Sequence, residues 1–582
     1  MFRFAALVVS AALIGSAQVA PVFARSDDGQ SGANQLKKIN HIVVIYQENH
    51  SFDNLFGNWE GVKGRASATA ARTLQVSQAG VTFTCLKQND VNLTSPPLAA
   101  SCTDVTTATP FTSAFTNAPF SIDALIPPSA TTCPAPGVFA ANGVPNGTGQ
   151  PGGCTRDIVH RFYQEQYQLN QGRMNRYTTG SDAVGLTQGY YDSTKLPLYA
   201  YLHQDDHPSY AIADAFFQGA FGGSFLNHQW LIAAATPTWP VAVNDGSTTS
   251  DLHSVADVNG MPNNYPLYVS PAGTTVKDNA LTASCAPGPG RGPTPPGVLC
   301  GNYAVNTIQP AYQPYQPNTS PARRLPPQTA PTIGDRLSAA GVDWAWYAGG
   351  WSNANGDIGA PGWTNGTGTT CASAATNTAA VFPNCPDKLF QFHHQPFNYY
   401  AAYAPGTPAR AAHLRDEAEF QSMANSSSRQ CSLKPVSFVK PIGAENEHPG
   451  YAGENAGNSH LVSLLKSIEG SNCRKDTMVV VTYDEFGGQW DHVTPPGQGG
   501  VAGPHDAFGP GTRLPALVLA PHLQDSFVTD HAQHDTTSIL ATIEHRFKVA
   551  PLSARDGSVR DLSTVFRAQQ EEGGDDQQHA DS

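Results

Sequence analysis

Two pairs of oxygen-bearing residues stand far apart in this sequence. Glu48 and Asn49 follow an apolar run in "IVVIYQENHSFDNLFG", and Asp484 and Glu485 follow another in "TMVVVTYDEFGG". Three carboxylates and an amide gathered in one place would repel unless a cation sat among them. Taken singly, each acid reads equally well as a solvated loop residue or a helix N-cap. Oxygen donors with one amide and no Cys suit one hard or borderline divalent cation. Ser224 is the third feature, in "FGGSFLNHQW". Two glycines allow a tight turn and close backbone approach, and a helix start offers N–H groups and positive dipole to an anion. A plain N-cap is the alternative. As a nucleophile, Ser224 would need activation, which metal coordination supplies. Among 19 histidines, His160 (in the first turn of an expected helix), His393 and His394 in "FQFHHQPF", His448 in "AENEHPGY" and His492 in "GGQWDHVTPP" stand out. Each alone is a packing or surface residue. As a set they could hold a phosphate and protonate a leaving group. Asp491 and His492 read either as support behind the ligands or as residues that shape their loop.

These residues need elements to carry them. "HIVVIY" (41–46) reads as a buried strand, and so does the apolar part of 477–488. "DIVHRFYQEQYQLN" (157–170) reads as a helix with Asp157 as N-cap and with Val159, Tyr163 and Tyr167 on one face. A helix is expected to start near Ser224. Residues 332–341 read as a helix followed by the strand "DWAWYAG", 437–441 as a short strand, and "SHLVSLLKSIEG" as a helix closed by Gly470. "LPALVLAP" and "HDTTSILATIEHRF" give a further strand and helix. Strands apolar on both faces, alternating with helices, argue for a parallel α/β sheet. Ligands of such sheets bind beyond the carboxyl ends of the strands, where both oxygen pairs fall. A site shared by Glu48 and Asp484 puts their strands in one sheet. The expectation is a single discontinuous domain over 25–567, with loop-rich insertions at about 65–153 and 245–324.

The first residues, "MFRFAALVVSAALIGSAQVAPVFA", combine Arg3, an apolar run and the small-residue end Val22-Phe23-Ala24. They read as a signal peptide over 1–24 rather than an anchor, because the run is short and broken by Ser and Gly. The expected location is periplasmic or secreted, with no transmembrane anchor after cleavage. Ten cysteines in an exported chain imply disulfides. Neighbour pairing (85–102, 133–154, 285–300, 371–385, 431–473) would staple five local loops. Residues 568–582 read as a disordered acidic tail. With 54 Gly and 46 Pro among 582 residues, a folded core wrapped in long loops is expected. A net charge of −13 disfavours nucleic acid and anionic membranes as partners.

Taken together, "IVVIYQENHSFDNLFG", "DIVHRFYQEQYQLNQGRM", "GGSFLNHQWL", "FQFHHQPFNYY", "NEHPGY" and "VVVTYDEFGGQWDHVTPP" resemble the bacterial acid phosphatase/phospholipase C family. That family belongs to the alkaline-phosphatase-like superfamily of phosphoesterases. The resemblance runs from about His41 to Asp556, interrupted by the insertions. It implies a central, mostly parallel sheet with helices on both faces and disulfide-stapled insertions. It also implies a metal-dependent serine phosphatase. Glu48, Asn49, Asp484, Glu485 and the Ser224 oxygen would bind one divalent ion (Zn, Ca or Fe are the candidates), and Ser224 would be the nucleophile. Phosphate contacts would come from His160, His448 and one of His393 and His394. The phospholipase C branch is similar at both ends of the chain, but its nucleophile block departs from the Gly-Gly-Ser here. A small phosphomonoester is therefore the first expected substrate and a phosphocholine-type lipid the second. A non-catalytic metal- or glycan-binding protein is a distant third, since it has no need of a hydroxyl at that turn.

Overall fold

A computed structural model describes residues 28–87, 99–107, 110–124, 127–129, 157–181, 184–239, 281–282, 299–316, 319–364 and 390–569. The expected signal peptide, the tail beyond residue 569, Cys133, Cys154, Cys285, Cys371 and Cys385 lie outside these residues, as does most of the expected insertion at 245–324.

The elements that matter for the site are α1 (Asp28–Leu36), β1 (His41–Gln47), α2 (Phe162–Leu169), β2 (Tyr210–Ala213), α3 (Ser224–Ala233), α4 (Ile333–Ala339), β3 (Trp344–Ala348), β4 (Leu414–Asp416), α5 (Glu417–Ala424), β5 (Val436–Lys440), α6 (Glu454–Gly470), β6 (Thr477–Tyr483), β7 (Ala516–Leu519), β8 (Phe527–Asp530) and α7 (Thr537–Phe547). The eight strands form one sheet in the order β8-β2-β7-β6-β1-β5-β3-β4. β1 sits between β6 and β5, parallel to both. Only β7 runs against its neighbours, β6 and β2. The sheet is thus mostly parallel, as expected.

Side-chain alternation explains the layers. Ile42, Val44 and Tyr46 of β1 face one apolar cluster with Phe225, Leu226 and Trp230 of α3, Leu337 of α4 and Ile539 of α7. Val43 and Ile45 face a second cluster with Phe420 of α5 and Leu461, Leu465 and Ile468 of α6. All five of these β1 residues are fully buried. Each is worth roughly 1.5–3 kcal/mol in transfer terms, and this two-sided burial accounts for the unbroken apolar run. Helices cover both faces, as expected. α4 opens with a reciprocal capping box between Thr332 and Asp335.

One expected boundary is wrong. α2 begins at Phe162 with Arg161 as its extended N-cap, so Asp157 does not cap it and His160 lies ahead of the helix rather than in its first turn. The cause is tertiary packing. A Cβ on Gly488 would lie 2.6 Å from the Val159 carbonyl oxygen, and one on Gly222 would lie 2.6 Å from the Phe162 nitrogen. The extended stretch is clamped between two glycine turns, which overrides its helical pattern. Tyr163 and Tyr167 remain on the helix, both buried.

Within the segment expected as the first insertion, Cys102–Asp104 pairs antiparallel with Phe111–Ser113, and Cys85 is bonded to Cys102. Cys431 is bonded to Cys473. Both bridges match the neighbour pairing. No helix among the described residues is long and apolar enough to cross a membrane.

Candidate active site

β1 and β6 run in register to their last residues, with Gln47 opposite Tyr483. The next residues on each strand are therefore Glu48–Asn49 and Asp484–Glu485, delivered side by side at the carboxyl edge of the sheet. All four are buried, at 0–1% exposure. The Asp484 N–H donates to the Gln47 carbonyl (3.1 Å), and the Glu48 N–H donates to the Asn446 carbonyl (2.8 Å).

Ser224 is brought to the same place. Gly222 has φ +93°, Gly223 is the N-cap, and Ser224 is the first helical residue of α3. The left-handed φ at Gly222 is a conformation that a side chain would strain. The Ser224 Oγ donates to Glu48 Oε2 at 3.3 Å.

The electrostatics are lopsided. Burial pushes the Glu48 carboxyl up, but His394 and Lys440 override this and hold it well below the usual range. Lys440 Nζ lies 2.5 Å from Glu48 Oε1, and both side chains are fully buried. Asp484 is raised by burial and by the charge of Glu48. Glu485 is raised by burial and by Asp484. Asn49 Oδ1, Asp484 Oδ2 and Glu485 Oε1 are buried and accept no well-formed hydrogen bond among the described residues. Buried oxygens without donors are costly, and a divalent cation coordinated by them would remove that cost. The donor set therefore fits the expected metal. Glu48, His228 and His394 form an overlapping group, with one ligand atom each inside 4.8 Å.

His448 supports the same orientation of Asn49. Its Nδ1 faces the Pro449 carbonyl at 2.8 Å and so carries a proton, leaving the Nε2 lone pair to accept from Asn49 Nδ2 at 3.1 Å. This turns Asn49 Oδ1 away from His448 and leaves it open to a cation. His160 donates Nδ1–H to the Ile158 carbonyl (2.6 Å), and its Nε2 lies 3.5 Å from Glu485 Oε1. Of the neighbouring pair, His394 reaches the carboxylates, with Nε2 2.8 Å from Glu48 Oε1. His393 packs against its ring, with centroids 4.6 Å apart. Burial lowers His394 to about 4 against the opposing pull of Glu48. It lowers His393 and His228 as well. These three rings are neutral at pH 7.

Two residues at the site escaped the sequence reading. Lys440 ends β5 beside β1, and its signal was a cation closing an apolar strand in "SFVKP". His228 lies one turn after Ser224; its Nδ1 donates to the Ser224 carbonyl at 2.7 Å, and its ring stacks on His394 with centroids 4.9 Å apart. The signal there was the i, i+4 spacing in "GGSFLNHQ".

Asp491 and His492 belong to a separate buried network. Arg513 Nη2 lies 3.0 Å from Asp53 Oδ1 and 3.1 Å from Asp491 Oδ2, and His492 Nδ1 lies 2.5 Å from Asp53 Oδ2. The guanidinium supplies the positive charge this cluster needs. The network ties the loop after β1 to the loop after β6. A cavity of about 280 Å³ adjoins the Ser224 turn, lined by Asp157, His160, Arg161, Gly223, Asn306 and Thr307 together with Ile158 and Val159.

A model of the Phosphoesterase family matches residues 39–550. The chain belongs to the Phosphoesterase family. The match covers both strand ends, Ser224 and every histidine discussed above, and it bears out the resemblance read from the motifs. The family is one of hydrolases acting on phosphoric esters. Among curated relatives, "Phospholipase C B" of Mycobacterium tuberculosis is 33% identical over 162 residues, 24% of this chain and 30% of that protein. "Non-specific phospholipase C6" of Arabidopsis thaliana is 29% identical over 136 residues, 20% of this chain and 26% of that protein. The alignments thus span less than a third of these relatives' own length. A solved structure of a protein in the alkaline phosphatase superfamily from Vibrio parahaemolyticus is 13% identical with TM-score 0.21, covering 40% of this chain and 51% of that one. The fold assignment rests on the sheet itself and not on that score.

Proposed function

We propose that this phosphoesterase is an exported, metal-dependent phosphomonoesterase of acid-phosphatase type that works through a phosphoserine intermediate. The observation that carries the reading is the placement of Ser224 Oγ 3.3 Å from Glu48 Oε2, at a helix N-terminus, beside three buried oxygens that accept no well-formed hydrogen bond among the described residues. Glu48, Asn49, Asp484, Glu485 and Ser224 would hold the cation. When bound, a divalent ion lowers the pKa of a hydroxyl and stabilises charge on a phosphoryl oxygen.

The chain's own residues do the rest. Glu48 accepts the Ser224 O–H and aims the oxygen outward. The N-terminus of α3 offers its N–H groups and dipole to the phosphoryl oxygens. Ser224 attacks phosphorus in line. His448, whose Nε2 lone pair lies 3.9 Å from the Glu48 oxygen that holds the Ser224 hydroxyl, takes that proton and returns it to the leaving alcohol as its P–O bond breaks. His160 and His394 border the phosphate position. Water then releases phosphate from Ser224. The small cavity, with mostly charged, amide and hydroxyl lining, suits a compact polar leaving group. The disulfides fit an oxidising, extracytoplasmic location.

The relatives named as phospholipases C favour a second reading, hydrolysis of a phosphocholine-type lipid diester. Both are tested by chelating the protein, adding back Zn²⁺, Ca²⁺ or Fe²⁺ separately, and comparing a soluble monoester with a phosphocholine diester. The first reading expects kcat/KM at least about tenfold higher on the monoester, a difference of about 1.4 kcal/mol in transition-state binding. The reverse preference establishes the second reading.

A further inference from the structure

The turn that presents Ser224 contains two glycines, so other residues must fix it. Glu165, on α2, is fully buried and takes no part in the chemistry above. Its Oε2 accepts from the Gly222 N–H and from Gln218 Nε2, both at 2.6 Å. Its Oε1 accepts from the Thr512 N–H at 2.7 Å and the Thr512 hydroxyl at 2.8 Å. None of these four donors is a cation, and all converge on one carboxylate.

Gln218 extends the arrangement. Its Oε1 accepts from the Phe486 N–H at 3.1 Å, one residue after Glu485. Its backbone pairs with Gly511 and Thr512, each at 3.0 Å. The space is closed: a Cβ on Gly511 would lie 2.4 Å from Glu165 Oε1. Thr512 leads directly into Arg513 of the network that ties the two strand-end loops. One carboxylate and one amide therefore join the Ser224 turn, the Asp484–Glu485 loop and the Arg513 segment.

We infer that Glu165 is a positioning residue: through Gly222 and Gln218 it sets the Ser224 turn against the Asp484–Glu485 loop. It is not among the residues that would hold substrate or cation, and it acts through the Gly222 N–H and the Gln218 side chain. An amide in its place would turn an NH₂ group toward donors, so Glu165→Gln keeps the volume and breaks the convergence. The inference rests on Ser224 as the nucleophile, but one arm of its test does not.

The first arm is hydrogen exchange read by mass spectrometry on Glu165→Gln. The peptide spanning residues 219–227 should exchange about tenfold faster than in the wild type, while peptides spanning β1 and β6 are unchanged. No change there, or equal deprotection everywhere, overturns the inference. The second arm is kinetic. On a soluble phosphomonoester, kcat should fall about 100-fold with KM within about threefold of wild type, as expected for a displaced nucleophile. An unchanged kcat, or a loss confined to KM, overturns it. Ser224→Ala is measured beside it: if that variant turns over normally, the nucleophile reading fails, and the exchange arm still decides the role of Glu165. Should Glu165→Gln not fold, Thr512→Val removes one donor only. It should show the same local exchange change and a smaller fall in kcat, and wild-type behaviour in both would overturn the inference.

Discussion

Lys440→Met offers the most direct test of the charge balance at the strand ends. Lys440 is the one Lys or Arg paired with Glu48 among the described residues, at 2.5 Å and with no exposure on either side. At an effective dielectric of about 20, a pair at that distance is worth roughly 6–7 kcal/mol of Coulomb energy, and desolvation of the two ions returns several kcal/mol of it. Removing the lysine leaves Glu48 buried beside Asp484 and Glu485, with only His394, a ring that burial lowers against the pull of Glu48, beside it to offset the charge. The expected loss of unfolding free energy in chelated protein is about 3–5 kcal/mol, the cost of a buried unpaired charge. A divalent cation on the same oxygens would supply the missing positive charge, so in saturating metal the loss should shrink to about 1–2 kcal/mol. The assay is urea unfolding followed by circular dichroism, with and without metal, on wild type, Lys440→Met, Glu48→Gln and the double variant. The double variant should lose less than Lys440→Met alone, because no charge is then stranded. Equal losses with and without metal would refute the cation site. A loss under about 1 kcal/mol in chelated protein would refute the charge argument itself.

Because Gly223 and not Ser224 is the N-cap, Ser224→Ala should cost under about 1 kcal/mol of stability yet lower kcat by several orders of magnitude. Acid quench during turnover of a labelled phosphoester should leave acid-stable label on the wild-type "GGSFLNHQW" peptide, and label on a histidine peptide would move the nucleophile. Glu454 is buried at the start of α6, and burial pushes its carboxyl up to about 8. A raised carboxyl contributes stability that is complete below its unfolded pKa and is lost as pH rises toward 8, so Glu454→Gln should stabilise the protein at pH 8 by about 2–4 kcal/mol and do little at pH 4; an equal effect at both pH values in urea unfolding would refute this.

The unevenness of what could be read from the chain has a physical cause. Residues 42–46 and 478–483 were legible as strands because burial on two faces demands unbroken apolar runs, and a local pattern records it. That Glu48 and Asp484 end strands of one sheet also followed, because acids crowd there only for a reason that joins them; that the two strands are neighbours came from the pairing of β1 with β6. The direction of β7 was not legible: its apolar run fits either orientation, and direction is settled by pairing with β6 and β2. The extended conformation of 157–161 was not legible either, since the helical spacing of Val159, Tyr163 and Tyr167 is real and is defeated only by Gly488 and Gly222, which are remote in sequence. Lys440 is the instructive case. A lysine closing a short strand is unremarkable by itself and gains meaning only once β5 is known to lie beside β1, where its Nζ meets Glu48. The ligand oxygens announce themselves through residue types that are expensive to gather. The groups that balance and aim them (Lys440, His228, Glu165) are ordinary residue types whose effect comes from position alone, so sequence periodicity carries no trace of it.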